Sequence, residues 1–157
     1  QIDGEADITI ETNNLVVGGT GNLTGNITSS NLDVWGKLEG NVKVDGAIIV
    51  STPQEIALLD VKRGIKMFDK LKVKIVGLVD NMSHFETEDG KKYNIFGTGG
   101  VERTAKEFDK TFLGKIPINP DVGKAADNGK PLVEENPNHE ISKIYLELAK
   151  KVKSSFQ

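Results

Sequence analysis

The run Gly40-Asn-Val-Lys-Val-Asp-Gly-Ala-Ile-Ile-Val-Ser-Thr-Pro-Gln-Glu-Ile-Ala-Leu-Leu-Asp-Val-Lys-Arg-Gly64 changes grammar in its middle, and that change decides the fold. Its second half holds the continuous apolar stretch Ala47-Ile48-Ile49-Val50, the signature of a strand buried on both faces. Pro53-Gln54-Glu55 then opens a helix, because proline suits a first helical turn and glutamate favours a helix N-terminus. The expected helix reaches about Leu71, with Ile56, Leu59, Ile65 and Phe68 on its apolar stripe.

Downstream the same alternation continues. Val73 to Val79 reads as a second buried strand, followed by a loop or hairpin through Asn94 with a polar tip at Glu88-Asp89-Gly90. A helix is expected from Gly100 to about Phe108, then a strand over Phe112–Ile116, and a short helix over roughly 121–128. The final helix spans about Glu140 to Lys153, with Ile141, Ile144, Leu148 and Val152 at helical spacing. The fold class of residues 46–157 is therefore α/β, about three parallel strands with helices on both faces.

Upstream the pattern has a period of two. Asp7-Ile8-Thr9-Ile10-Glu11 and Asn41-Val42-Lys43-Val44 alternate polar and β-branched residues between glycines. "GNLTGNIT" (21–28) is echoed by "GKLEGNVK" (36–43) fifteen residues on, and "NLVV" (14–17) by "NLDV" (31–34) at seventeen. Residues 1–45 are thus expected to be a short β-solenoid or a β-meander, with Trp35 a candidate for burial. The glycine-rich "VVGGTGNLTG" (16–25) reads as a turn of this part.

The net charge of −3 hides an asymmetry: residues 1–45 hold seven acidic groups against two lysines, and the remainder 16 acidic against 18 basic. Neither part concentrates basic charge, which argues against a nucleic-acid partner. Cysteine is absent, so thiolate zinc sites, disulfides and cysteine-held clusters are excluded for this chain alone. No apolar run reaches membrane-spanning length, and a cytoplasmic location is expected. His84 beside Glu86 is one imidazole, too few for a metal site, and His139 reads as a helix N-terminal residue. Ser51 and Thr52 are expected to cap the helix that follows them.

Two resemblances add to this. Gly21–Ile27 and Gly36–Val42 resemble the repeats of bactofilins, bacterial cytoskeletal proteins, which implies self-association through the β-repeat segment. "VDGAIIVSTPQEIALLDVKRGIKMF", "VGLVDNMSHF", "YNIFGTGG" and "FLGKIPINPDVGKAADNGKP", in that order, resemble the Mrp-type iron–sulfur cluster carriers among the MinD/ParA-like P-loop ATPases. That resemblance covers about residues 44–157. It implies a dimeric ATPase that binds ATP and a transferable iron–sulfur cluster. It also implies that Asn81 bonds the adenine base and that Pro117, Ile118 and Asn119 close over it; Asn119 stands where aspartate is the more usual residue.

Against the family pattern, the chain carries no Cys-x-x-Cys pair and no Gly-x-x-x-x-Gly-Lys-[Ser/Thr] run to cradle phosphates. No catalytic residue or metal ligand is expected, and hydrolysis by this chain alone is not expected. A missing phosphate-loop strand would leave one sheet edge and some apolar surface unpaired. A fusion, a chimera or a shortened reading frame would each place these two grammars side by side.

Overall fold

The computed structural model describes residues 5–17, 22–34, 37–87 and 89–157; Trp35, Glu88 and residues 18–21 of the expected turn lie outside the described residues. The chain divides into two compact units, Gln1–Gly46 and Ala47–Gln157.

In the first unit β1 (Glu5–Val17), β2 (Asn22–Val34) and β3 (Lys37–Lys43) form one sheet in the order β1-β2-β3. All pairing is parallel: Glu5 faces Asn22, and Asn22 faces Lys37. A meander would pair its strands antiparallel, so that expectation is overturned. The register reproduces the sequence echo, setting Leu15 on Leu32, Leu23 on Leu38 and Asn26 on Asn41. On β2, Leu23, Ile27 and Ser29 are buried while Thr24, Asn26 and Thr28 are exposed, the alternation that a pleated strand imposes.

The second unit is α/β. β4 (Ala47–Ser51), β5 (Ile75–Glu86) and β7 (Phe112–Ile118) are parallel in the order β4-β5-β7. The two-residue β6 (Lys92–Tyr93) pairs antiparallel with the end of β5. α1 (Glu55–Lys70) links β4 to β5, and α2 (Gly100–Glu107) lies between β6 and β7. After β7 come α3 (Pro120–Asp127), the four-residue α4 (Leu132–Glu135), which the sequence pattern did not announce, and α5 (Glu140–Ser154).

Because the strand order advances in one direction, right-handed crossovers put α1 and α2 on the same face. Their Leu58, Val61, Ile65, Val101 and Ala105 pack with Leu78 of β5. On the other face Val79, Leu113 and Ile116 pack with Leu148 of α5, flanked by Ile144, Tyr145 and Val152. β5 is therefore covered on both sides. Two glycines permit this closeness. A Cβ on Gly77 would stand 2.6 Å from Leu113 Cγ and 2.8 Å from the Thr111 carbonyl oxygen. One on Gly100 would stand 2.7 Å from the Pro53 carbonyl oxygen, which holds the start of α2 against the β4–α1 loop.

Three sequence expectations need correction. The buried stripe of α1 is Leu58, Val61 and Ile65, while Ile56 and Leu59 are 73% and 55% exposed. The helix is apolar around much of its girth, so periodicity alone left its phase open. β4 is covered on one face only: Ile49 packs toward α1, whereas Ile48 and Val50 are 43% and 58% exposed. Finally, β5 runs seven residues past Val79, because its end pairs Phe85 with Tyr93 and Glu86 with Lys92. The hairpin closes through a Thr87 N–H to Lys91 O bond of 3.0 Å and a left-handed Gly90 (φ 79°).

Candidate functional site

In open α/β sheets ligands bind beyond the carboxyl ends of the strands, and Ser51 and Ile118 lie at that end of β4 and β7, with Asp80 opposite Ser51 in the register. Ser51 caps nothing: its hydroxyl donates to Thr52 O at 3.0 Å, and Gln54 is the N-cap of α1 without a side-chain cap bond. The expected capping role of Ser51 and Thr52 is thus overturned, since Pro53 moves the helix start two residues beyond their reach.

A concavity of about 230 Å³ lies where the β5–β6 hairpin meets the end of β7 and the start of α5. Its polar lining includes His84, Glu86, Lys92, Lys115 and Glu140, and its apolar walls are Pro117, Ile118, Ile141 and Ile144, with Asn119 beside them. The β5–β7 register explains the convergence, since Phe85 pairs with Ile118 once the chain has turned at Met82 (φ 54°). Pro117, Ile118 and Asn119 therefore share one surface. Asn81 is opposite Ile116 in the register, half-buried, and is not among the residues lining this concavity. Asn119 Oδ1 accepts from the Asp121 N–H at 2.9 Å, making it the N-cap of α3. His139 caps α5 in the same manner, its Nδ1 accepting from the Ile141 N–H at 3.2 Å, and it lies 3.6 Å from Asp121.

His84, Lys115 and Glu140 were not singled out for this site by the sequence. Only the hairpin pairing, a tertiary event, brings His84 to it. The charges nearby are locally matched: Lys92 sits 3.1 Å from Glu86, and Lys115 sits 3.2 Å from Glu102 of α2.

Asp80 of β5 is a buried carboxyl outside the lining of that concavity. It is 1% exposed, and its Oδ1 meets no hydrogen-bond partner among the described residues. Burial pushes its carboxyl above the ordinary range, with Lys115 opposing the shift and Glu102 adding to it.

The donor set does not fit an iron–sulfur cluster. The chain has no cysteine, and among the described residues no group of three or more histidines, aspartates or glutamates could hold a metal ion. Nor does any helix among them have the length and apolarity to cross a membrane.

Comparison with known proteins agrees with this α/β geometry. A family profile described as ParA, NUBPL iron-transfer P-loop NTPase, matches residues 28–153. An iron–sulfur cluster carrier protein of Aquifex aeolicus (strain VF5) is 40% identical over 119 residues, 75% of this chain and 33% of the relative. An iron–sulfur cluster transfer protein, NUBPL, of Dictyostelium discoideum is 42% identical over 112 residues, 71% of this chain and 35% of the relative. The chain thus spans about a third of the length of the curated relatives it matches. Among solved structures, the cell-division ATPase MinD of Pyrococcus furiosus superposes with a TM-score of 0.56 at 17% identity, covering 74% of this chain and 51% of that one. It is a likeness of fold. With the profile extending over most of its length, the chain belongs to the ParA family of NUBPL iron-transfer P-loop NTPases.

Proposed function

We infer that residues 47–157 form the base-recognising part of a nucleotide-binding iron–sulfur cluster carrier, in which Pro117, Ile118 and Asn119 make one wall of an adenine site. The observation that carries this reading is the concavity at the carboxyl end of β7, where those three residues stand together. Family membership supplies the ligand class, and the relatives' names supply the cargo. Asn81 enters this reading by the resemblance alone.

The concavity is smaller than the roughly 300–1,000 Å³ of pockets that take a drug-sized ligand. It suits one ring system, not a nucleotide with its phosphates. The sequence offers no phosphate-cradling loop, so phosphates should add little to affinity. In isothermal titrations of this chain, adenosine should bind weakly, and ATP should match it within about threefold. Tight, magnesium-dependent ATP binding that adenosine does not displace would overturn the reading.

A second reading concerns the first unit. Its parallel register stacks like on like, Leu15 on Leu32 and Asn26 on Asn41, and β1 and β3 each pair only with β2 among the described strands. Open backbone edges of matching sequence favour addition of the same unit from another copy. Head-to-tail addition is heterologous, so it yields a ladder of sizes. Sedimentation velocity separates this from the homodimer that the resemblance implies. Mass growing with concentration, indifferent to ATP and lost on deleting residues 1–45, is the expected result of repeat stacking. A single species at every concentration would exclude it.

A further inference from the structure

We propose that His84 is a specificity-determining residue of the base site, presenting Nε2 as a hydrogen-bond acceptor to an amino group on the ligand's ring. This rests on the base reading above and adds a residue that the family resemblance does not supply.

The argument starts from Ser83, which is buried and has one hydroxyl proton to give. Its Oγ donates to Ile116 O at 3.2 Å, a carbonyl that can only accept. The same Oγ lies 3.0 Å from His84 Nδ1. With the serine proton spent, that contact is satisfied only if Nδ1 carries the ring proton and donates. A neutral imidazole has one N–H, so Nε2 is then a bare acceptor.

Among the described residues no donor is recorded on that lone pair. Glu86 Oε2 is 3.9 Å away, beyond hydrogen-bond reach, and is itself an acceptor already engaged by Lys92 at 3.1 Å. His84 lines the concavity together with Pro117, Ile118, Ile141 and Ile144. Apolar walls admit a ring, and at the margin Nε2, beside the carboxylates of Glu86 and Glu140, favours a ring bearing an N–H donor. An aminopurine satisfies it. An oxopurine would set one acceptor against another, and an unsubstituted purine would leave Nε2 unpaired. Asn119 Oδ1 does not duplicate the role, since it is committed to the Asp121 N–H.

The test compares adenosine with purine riboside, which lacks only the amino group. With the wild-type chain, at a pH where imidazole is neutral, adenosine should bind about tenfold tighter. His84→Phe keeps a flat ring without an acceptor and should bring adenosine down to the level of purine riboside. His84→Gln, which restores an acceptor oxygen, should recover part of the preference. In a ¹⁵N spectrum of the wild-type ring, the proton should sit on Nδ1. Equal binding of the two nucleosides, a preference that survives in His84→Phe, or a proton on Nε2 would overturn this inference while leaving the base site standing. Binding of neither nucleoside would overturn the base reading and this inference with it.

Discussion

Replacing Leu78 with alanine should remove about 2–5 kcal/mol of stability from the α/β unit, read as a lower denaturant midpoint with an unchanged slope. Leu78 is fully buried on the central strand and packs among Leu58, Val61, Ile65, Val101 and Ala105. Those partners come from α1 and α2, and the two helices are held close where Gly100 of α2 fits against Pro53 and the Leu58 side chain. The site therefore has little freedom to collapse onto a smaller side chain, which argues for the upper part of the range. Since a domain's whole stability is about 5–15 kcal/mol, the variant should sit near its unfolding threshold. Val50→Ala is the control. Val50 is more than half exposed, so its truncation should cost well under about 1 kcal/mol. Equal losses in the two variants would mean that the core has been placed wrongly.

Asp80→Asn should do the opposite and stabilise the unit by about 1–3 kcal/mol at neutral pH. The carboxylate is buried with one oxygen unpartnered among the described residues, and its proton affinity is raised chiefly by that burial. In strong acid both the folded and the unfolded chain hold the proton, and the group adds no pH dependence. As pH rises, the unfolded chain releases its proton first, because the folded value lies above the ordinary one. Stability therefore declines as pH rises from the ordinary carboxyl range through the folded value, then levels off. The amide has no such titration. The gap between variant and wild type should open with rising pH and close on acidification. Parallel stability curves across that range, or a less stable amide at neutral pH, would show that Lys115 outweighs the burial.

Much of the second unit was readable from local pattern, and the reasons show where reading stops. Ala47-Ile48-Ile49-Val50 announced a strand by continuous apolarity, and Ile141, Ile144 and Leu148 set the buried face of α5 by their spacing. α1 was announced as a helix but not in its phase, because Ile56 and Leu59 are as apolar as the Leu58 and Val61 that the sheet covers. The end of β5 was illegible for a different reason: Ser83 to Glu86 are strand because of what they pair with, not because of what they are. That same extension delivers His84 to Pro117, so half of the candidate site was hidden together with it. Pro117, Ile118 and Asn119 were found through resemblance, and nothing in their spacing marks a ligand. The parallel register of β1 to β3 was present in the sequence echo, which fixed the fifteen- and seventeen-residue offsets but not the strand direction.

Layer widths give the half-covered β4 a further meaning. Strands lie about 4.8 Å apart, and a helix with its side chains is about 10 Å across. One helix can therefore shelter about two strands. On one face α1 and α2 together have girth enough for the three strands, and Ile56 and Leu59 stand on the water side of α1. On the other face α5 packs over β5 and β7, and Ile48 and Val50 of β4 stand uncovered. Each of those two half-wetted side chains forgoes on the order of 1 kcal/mol of burial. At β4 the unit is roofed by helix on one side and bare on the other, and the bare face is oily.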